Sequence, residues 1–175
     1  MKMFIPALII ISALIMAPVP ASAQRIGFID MEQIMMQSEA GKKGTAELKA
    51  SFEKKQQAIQ KREAELEKEK EKLKQQQSAG ILKESALKEL EHEYTVKFRE
   101  YQKLVSDSNE ELAREKQEFM KNMVTNIRNI VQRVAEKDGY SLVLDVNNPF
   151  VIYHSRSGPN ISAKIISELN KSSRK

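Results

Sequence analysis

The chain has 175 residues with no cysteine and no tryptophan, and its 29 basic against 24 acidic side chains leave a net charge of +5. Without cysteine there is no disulfide framework, no thiol redox chemistry and no cysteine-ligated metal site. With 30% of its residues charged and its apolar residues spread thinly through Lys, Glu and Gln, a single core running through the whole chain is not expected.

Lys2, the apolar run from Met3 to Ala17 and the Ala21-Ser22-Ala23 triplet have the order of a secretory leader, and cleavage is expected after Ala23. An uncleaved anchor is the competing reading. Pro6, Ser12, Pro18 and Pro20 argue against it by keeping the apolar run below the roughly 20 residues a spanning helix needs. Loss of Lys2 with the leader leaves +4, a small excess that favours anionic partners without specifying one. Export disfavours nucleic acid as a partner.

Arg25 to Asp30 reads as a short strand with Ile26 and Phe28 on one face. A short helix follows through "MEQIMMQSEAG", with Ile34 and Met35 available for packing, and Gly41 and Gly44 are expected to punctuate it. From Thr45 to Gln77 the chain is strongly helix-forming, without proline or glycine. Phe52, Ile59, Leu66 and Leu73 recur there every seven residues. The positions four earlier are Leu48, Lys55, Arg62 and Glu69, so only one heptad position is consistently apolar. That pattern predicts a thin two-helix arm.

Ser78-Ala79-Gly80 is the best place for the chain to reverse. From Ile81 to Lys137 a second proline- and glycine-free run carries the ladder Phe98, Val105, Leu112 and Phe119, beside Leu87, Tyr94 and Tyr101. It grows more apolar through Phe119, Met123, Ile127, Ile130, Val131 and Val134, and is expected to enter a true core there. Gly139 suits a helix exit. Tyr140 to Asp145 and Phe150 to His154 then read as two strands of a β-hairpin, joined by a turn at Val146-Asn147-Asn148-Pro149. Ser162 or Asn160 can cap a last helix whose Ile165, Ile166 and Leu169 face the head.

Three short strands have exposed edges and little interior of their own. Side chains as apolar as Leu142, Leu144, Val151 and Ile152 suggest that neighbouring copies complete the sheet or core, in a number the periodicity leaves open. The order "IGFID", short helix, long charged hairpin, "GYSLVLD", a strand ending in Tyr153-His154 and "NISAKII" resembles the Skp/OmpH family of periplasmic chaperones over essentially the whole chain after the leader.

The resemblance implies an α+β fold: a long, coiled-coil-like α-helical hairpin projecting from a small β-barrel head formed between the subunits of a homotrimer. It assigns 24–44 and 120–175 to the head and trimerisation domain and 45–119 to the arm, or tentacle, with its bend near 78–80. Ile26, Phe28, Tyr140, Leu142, Leu144, Val151, Ile152 and Tyr153 are then the expected head-packing residues. Phe52, Ile59, Leu66, Leu73, Phe98, Val105, Leu112 and Phe119 form the expected arm seam. The implied function is ATP-independent holding of unfolded outer-membrane β-barrel proteins in the periplasm, without cofactor or catalysis, and with at most a weak contact to anionic lipid or lipopolysaccharide.

Candidate client contacts are Lys54, Lys55, Lys61, Arg62, Lys68 and Lys72, which could attract acidic segments, and Ile81, Leu82 and Val96, which lie off the ladders; Ala58 and Met120 share that position. The residues offer little chemistry. There is no phosphate loop, no zinc-ligand cluster and no nucleophile-base-orienter spacing. His92 and His154 read as surface or structural, and Asp30 and Asp145, at strand ends, as caps or turn residues. The alternative function is a periplasmic structural or interaction module that binds a folded envelope partner.

Overall fold

The structure, a computed structural model, describes residues 24–80, 83–155 and 157–172. The element order is β1 (Ile26–Ile29), α1 (Met31–Gln37), α2 (Glu39–Ala79), α3 (Glu84–Asp138), β2 (Leu142–Asp145) and α4 (Ser162–Ser172). The helices α2 and α3, of 41 and 55 residues, are about 60 and 80 Å long at 1.5 Å per residue. They pack side by side as a hairpin, while the remaining elements gather around the C-terminal part of α3 to form the head.

Where Gly41 and Gly44 were expected to break the chain, both lie buried inside α2. Their small size serves packing instead of turning. A Cβ on Gly44 would sit 2.0 Å from the Phe119 ring, and one on Gly41 would sit 1.7 Å from the Met35 carbonyl oxygen. The helix break falls earlier, at Ser38, whose backbone N–H bonds Ile34 O while its Oγ accepts from Gly41 N at 3.1 Å and caps α2. At the far end α2 stops at Gly80, in the left-handed region at φ 63°, where a side chain would be strained.

In the head β1 and β2 are parallel, pairing Ile26 with Leu142 and Phe28 with Leu144. The opposite edge of β1 is taken by the 159–161 segment, through Phe28 N to Pro159 O (2.9 Å) and Ile161 N to Phe28 O (2.8 Å). The expected β-hairpin is absent: Phe150 to His154 forms no strand in the single chain. Val146 N instead extends the parallel ladder to Ile29 O, and the Asn147 amide donates to Asp30. These bonds hold the would-be turn against the β1–α1 junction, and in the single chain the segment does not fold straight back on β2. It returns only at His154, whose ring lies 5.5 Å from that of Phe28.

The head core consists of Ile29, Ile34, Met123, Ile127, Ile130, Val134, Ile161, Ile165 and Leu169. Met123, Ile127, Ile130 and Val134 recur on one face of α3 at helical spacing, and Ile165 and Leu169 on one face of α4. Each such side chain stabilises the fold by about 1.5–3 kcal/mol. A polar knot aligns the edges of this core. Asp30 caps α1 by accepting from Gln33 N, its own N–H donates to Ser162 Oγ, and Asp145 accepts from Met31 N.

Candidate functional site

Among the described residues, no His, Asp or Glu cluster could hold a metal ion, and no helix is long and apolar enough to cross a membrane. Asp30 and Asp145 are committed to backbone N–H groups, and His92 stands exposed on α3. The exposed large apolar side chains lie on the arm and on the outer side of the head.

Along the arm, Leu66 is buried and Ile59, Leu73, Val105, Leu112 and Phe119 are half-buried. Two expected seam residues are not closed in. Phe52 is 51% exposed in the wall of a groove, and Phe98 stands in an aromatic row on α3, with Tyr94 6.3 Å and Tyr101 6.4 Å away between ring centroids. One apolar position per heptad is too few to enclose every large side chain, so the row stays partly wet.

The other heptad position carries interhelical ion pairs. Lys55 meets Glu111, with Glu115 at 3.8 Å; Arg62 meets Glu100 at 2.7 Å, with Glu65 on its own helix at 3.3 Å; Glu69 meets Lys97 at 2.6 Å. The sign reverses between Arg62 and Glu69, and the partner helix reverses with it, so the pairs favour one register of the hairpin. The hydrogen bond to Glu111 raises the Lys55 ammonium above its ordinary value, against a smaller opposing effect of desolvation, and the same bond holds the Glu111 carboxyl below the usual carboxylate range. Lys97 is raised in the same way by Glu69.

Of the expected client contacts, Lys55, its side chain only 18% exposed, and Arg62 are paired with acidic groups within the arm of the single chain. Lys54, Lys61, Lys68 and Lys72 differ: they are exposed and, among the described residues, make none of the ion pairs. With seven residues between the first three and four more to Lys72, they form one basic stripe on α2. Val96 and Met120 are partly exposed and Ala58 exposed, whereas Ile81 and Leu82 lie outside the described residues.

In the head, Phe28 and Tyr140 are half-buried; the Arg25 guanidinium lies 4.6 Å from the centre of the Tyr140 ring. Leu144 and Val151 are half-buried as well. Ile26 and Leu142, paired across the sheet, remain exposed, and the loop after β2 leaves Phe150 90%, Ile152 97% and Tyr153 84% exposed. Large apolar groups left exposed on so small a head are suited to burial against another chain.

Sequence reasoning missed two features. The ion-pair ladder was signalled by charged residues at the second heptad position of α2. The other feature is an open apolar groove of about 680 Å³ at the root of the arm, walled by Met31, Met35, Met36, Phe52, Leu112 and Met120. Its signal was the gathering of methionines in "MEQIMM" and around Met120, which periodicity reads only as apolar positions.

The family model for OmpH-like outer membrane proteins matches residues 25–169. The chain is 25% identical over 148 residues to a protein named chaperone protein Skp from Photorhabdus luminescens, covering 85% of this chain and 87% of that protein. A protein of the same name from Photorhabdus laumondii matches with the same identity and coverage. A crystal structure from Caulobacter crescentus, titled as an OmpH-like outer membrane chaperone, superposes with a TM-score of 0.76 at 15% identity over 85% of each chain, a likeness of fold. With the family model spanning both strands, the entire hairpin and most of the last helix, the chain belongs to the Skp/OmpH family.

Proposed function

We propose that this chain is an ATP-independent periplasmic holdase that binds unfolded outer-membrane β-barrel proteins as a homotrimer and keeps them from aggregating. The family supplies the chaperone role. The observation that carries the finer reading is the composition of the arm: ion pairs occupy one seam position, and large apolar side chains remain on its surface at Phe52, Val96, Phe98 and Met120.

An unfolded β-barrel segment presents alternating apolar side chains and scattered acidic groups. Exposed apolar residues on both arm helices, with the Lys54, Lys61, Lys68 and Lys72 stripe on a separate face of α2, can meet such a segment in many registers, each contact being weak. Several arms acting on one client would raise the affinity through effective concentration. Assembly is supported by the head, where Ile26, Leu142, Phe150, Ile152 and Tyr153 are left uncovered in the single chain. We assign the β-barrel head between subunits, the leader's removal and the periplasmic location to this reading as well.

The test is light scattering on Gln24 to Lys175, alone and after addition of a urea-diluted outer-membrane β-barrel protein, without nucleotide. The expected result is a trimer that takes up client and holds it in solution. A monomer, or an assembly that ignores unfolded clients and binds a folded envelope protein, would make the chain an interaction module instead.

A further inference from the structure

Of the eight methionines, Met1, Met3 and Met16 fall in residues 1–23, and the other five all gather where the arm meets the head. Four of these, Met31, Met35, Met36 and Met120, line the apolar groove, and Met123 lies in the core behind it, 3% exposed. Because the chain has no cysteine, thioethers are its only sulfur groups. Their exposure is graded: Met36 is 67% and Met120 39% exposed, and Met31 and Met35 are half-buried against the core.

Flexible, polarisable thioethers give a groove that adapts to varied apolar shapes. Oxidation to the sulfoxide makes the same side chain polar, and sulfoxide reductases reverse the change. We propose that Met36 and Met120 form a reversible sulfoxidation site, at which an oxygen-atom donor of the hydroperoxide class turns the groove at the root of the arm from apolar to polar. A sulfur lone pair attacks the terminal O–H oxygen of the hydroperoxide, the O–O bond breaks, and the proton on the transferred oxygen passes to the departing alkoxide, or hydroxide for hydrogen peroxide. The products are sulfoxide and an alcohol, or water when the oxidant is hydrogen peroxide; sulfur gives up two electrons and the peroxide takes them.

The groove is continuous with the arm, since Phe52 and Leu112 belong to both its wall and the seven-residue ladders. The functional consequence rests on the holdase reading: apolar side chains of an unfolded client lose contact with the oxidised groove, and holding weakens. Met123 is shielded and stays reduced, so the head keeps its fold while the surface changes.

The experiment treats Gln24 to Lys175 with graded hydrogen peroxide and assigns sulfoxides by peptide mass spectrometry. Circular dichroism, anilinonaphthalene sulfonate fluorescence and holding of a urea-diluted β-barrel client are measured before oxidation, after it, and after treatment with the two methionine sulfoxide reductases. The expected order is Met36, then Met120, well ahead of Met123, with helix content unchanged. Dye binding and holding should fall, the latter roughly tenfold, and both should recover on reduction. In M36L/M120L, whatever its starting level, peroxide should change neither. Oxidation of Met123 as fast as Met36, or full dye binding and holding with Met36 and Met120 converted, would overturn the proposal. A chain that holds no client even before peroxide would defeat the holdase reading, while the sulfoxide map and the dye would still decide the oxidation site.

Discussion

The head and the arm are built from the same chain by opposite means. In the head, α3 and α4 turn apolar faces toward each other and toward β1 and α1, and the resulting core carries no charged side chain. Along the arm, the same α3 faces α2 through half-buried ladder residues and interhelical ion pairs, with Leu66 the fully buried large apolar side chain among the described seam residues. The difference teaches where each property resides. A dry core fixes one arrangement because every displaced methyl is felt. A seam half made of solvated charge pairs gives little net stability, since such pairs approximately offset their own desolvation and ordering costs. The arm is therefore expected to lose its pairing before the head loses its core.

Breaking the head should have the largest effect. Ile127→Ala and Ile165→Ala each remove a fully buried side chain and leave a cavity, which should cost about 2–5 kcal/mol. Thermal denaturation followed by circular dichroism should show head and arm losing structure together. If the arm's amides then exchange no faster than before, the arm does not depend on the head.

The joint between the regions comes next. Gly41→Ala would press a methyl against the Met35 carbonyl oxygen, a backbone atom that cannot swing aside. The gain in helix propensity, about 1 kcal/mol, should be outweighed, leaving a destabilisation of about 1–3 kcal/mol, read from denaturant unfolding. A more stable variant would mean that the α1–α2 turn gives way easily.

The arm is tested by making it resemble the head. Lys55→Leu combined with Glu111→Leu replaces an ion pair by an apolar pair at the same heptad position. Exchange of the surrounding arm amides should slow by roughly tenfold. Faster exchange would show that the pair holds the helices together better than apolar contact can.

The features legible from sequence were those set by local pattern. The hairpin followed from two long runs free of glycine and proline, and the convergence of Met123, Ile127, Ile130 and Val134 on a core followed from helical spacing. The hairpin with Phe150 to His154 does not form in the single chain, and local β-propensity carries no sign of the contact that fastens Asn147 to Asp30, 117 residues away. Gly41 and Gly44 were read as breakers because the need for a bare Cα comes from Met35 and Phe119. In the candidate site, the exposed Lys54, Lys61, Lys68 and Lys72 could be named in advance. Lys55 and Arg62 could not be separated from them, since their partners lie on the other helix.

The smallest expected effect is a difference in acid response between the two regions. Glu111 titrates below the ordinary carboxylate range because Lys55 bonds its charged form, and Lys55 titrates above its ordinary value for the reciprocal reason. A depressed carboxyl contributes stability that is present above its unfolded value and is lost as pH falls through the lowered folded value; a raised ammonium contributes stability lost only as pH rises through its folded value. The Lys55–Glu111 contribution is therefore constant across neutral pH and fades in acid below the ordinary glutamate range. Hydrogen exchange, corrected for its intrinsic pH dependence, should then rise first for the α2 and α3 amides around Lys55 and Glu111. Amides beside Ile127 should keep their protection, because the core around them is apolar. Lys55→Met removes the partner that depresses Glu111 and should abolish the early acid response of the arm. If head and arm instead lose protection at the same pH in both proteins, the ion pairs are not what makes the arm the softer of the two.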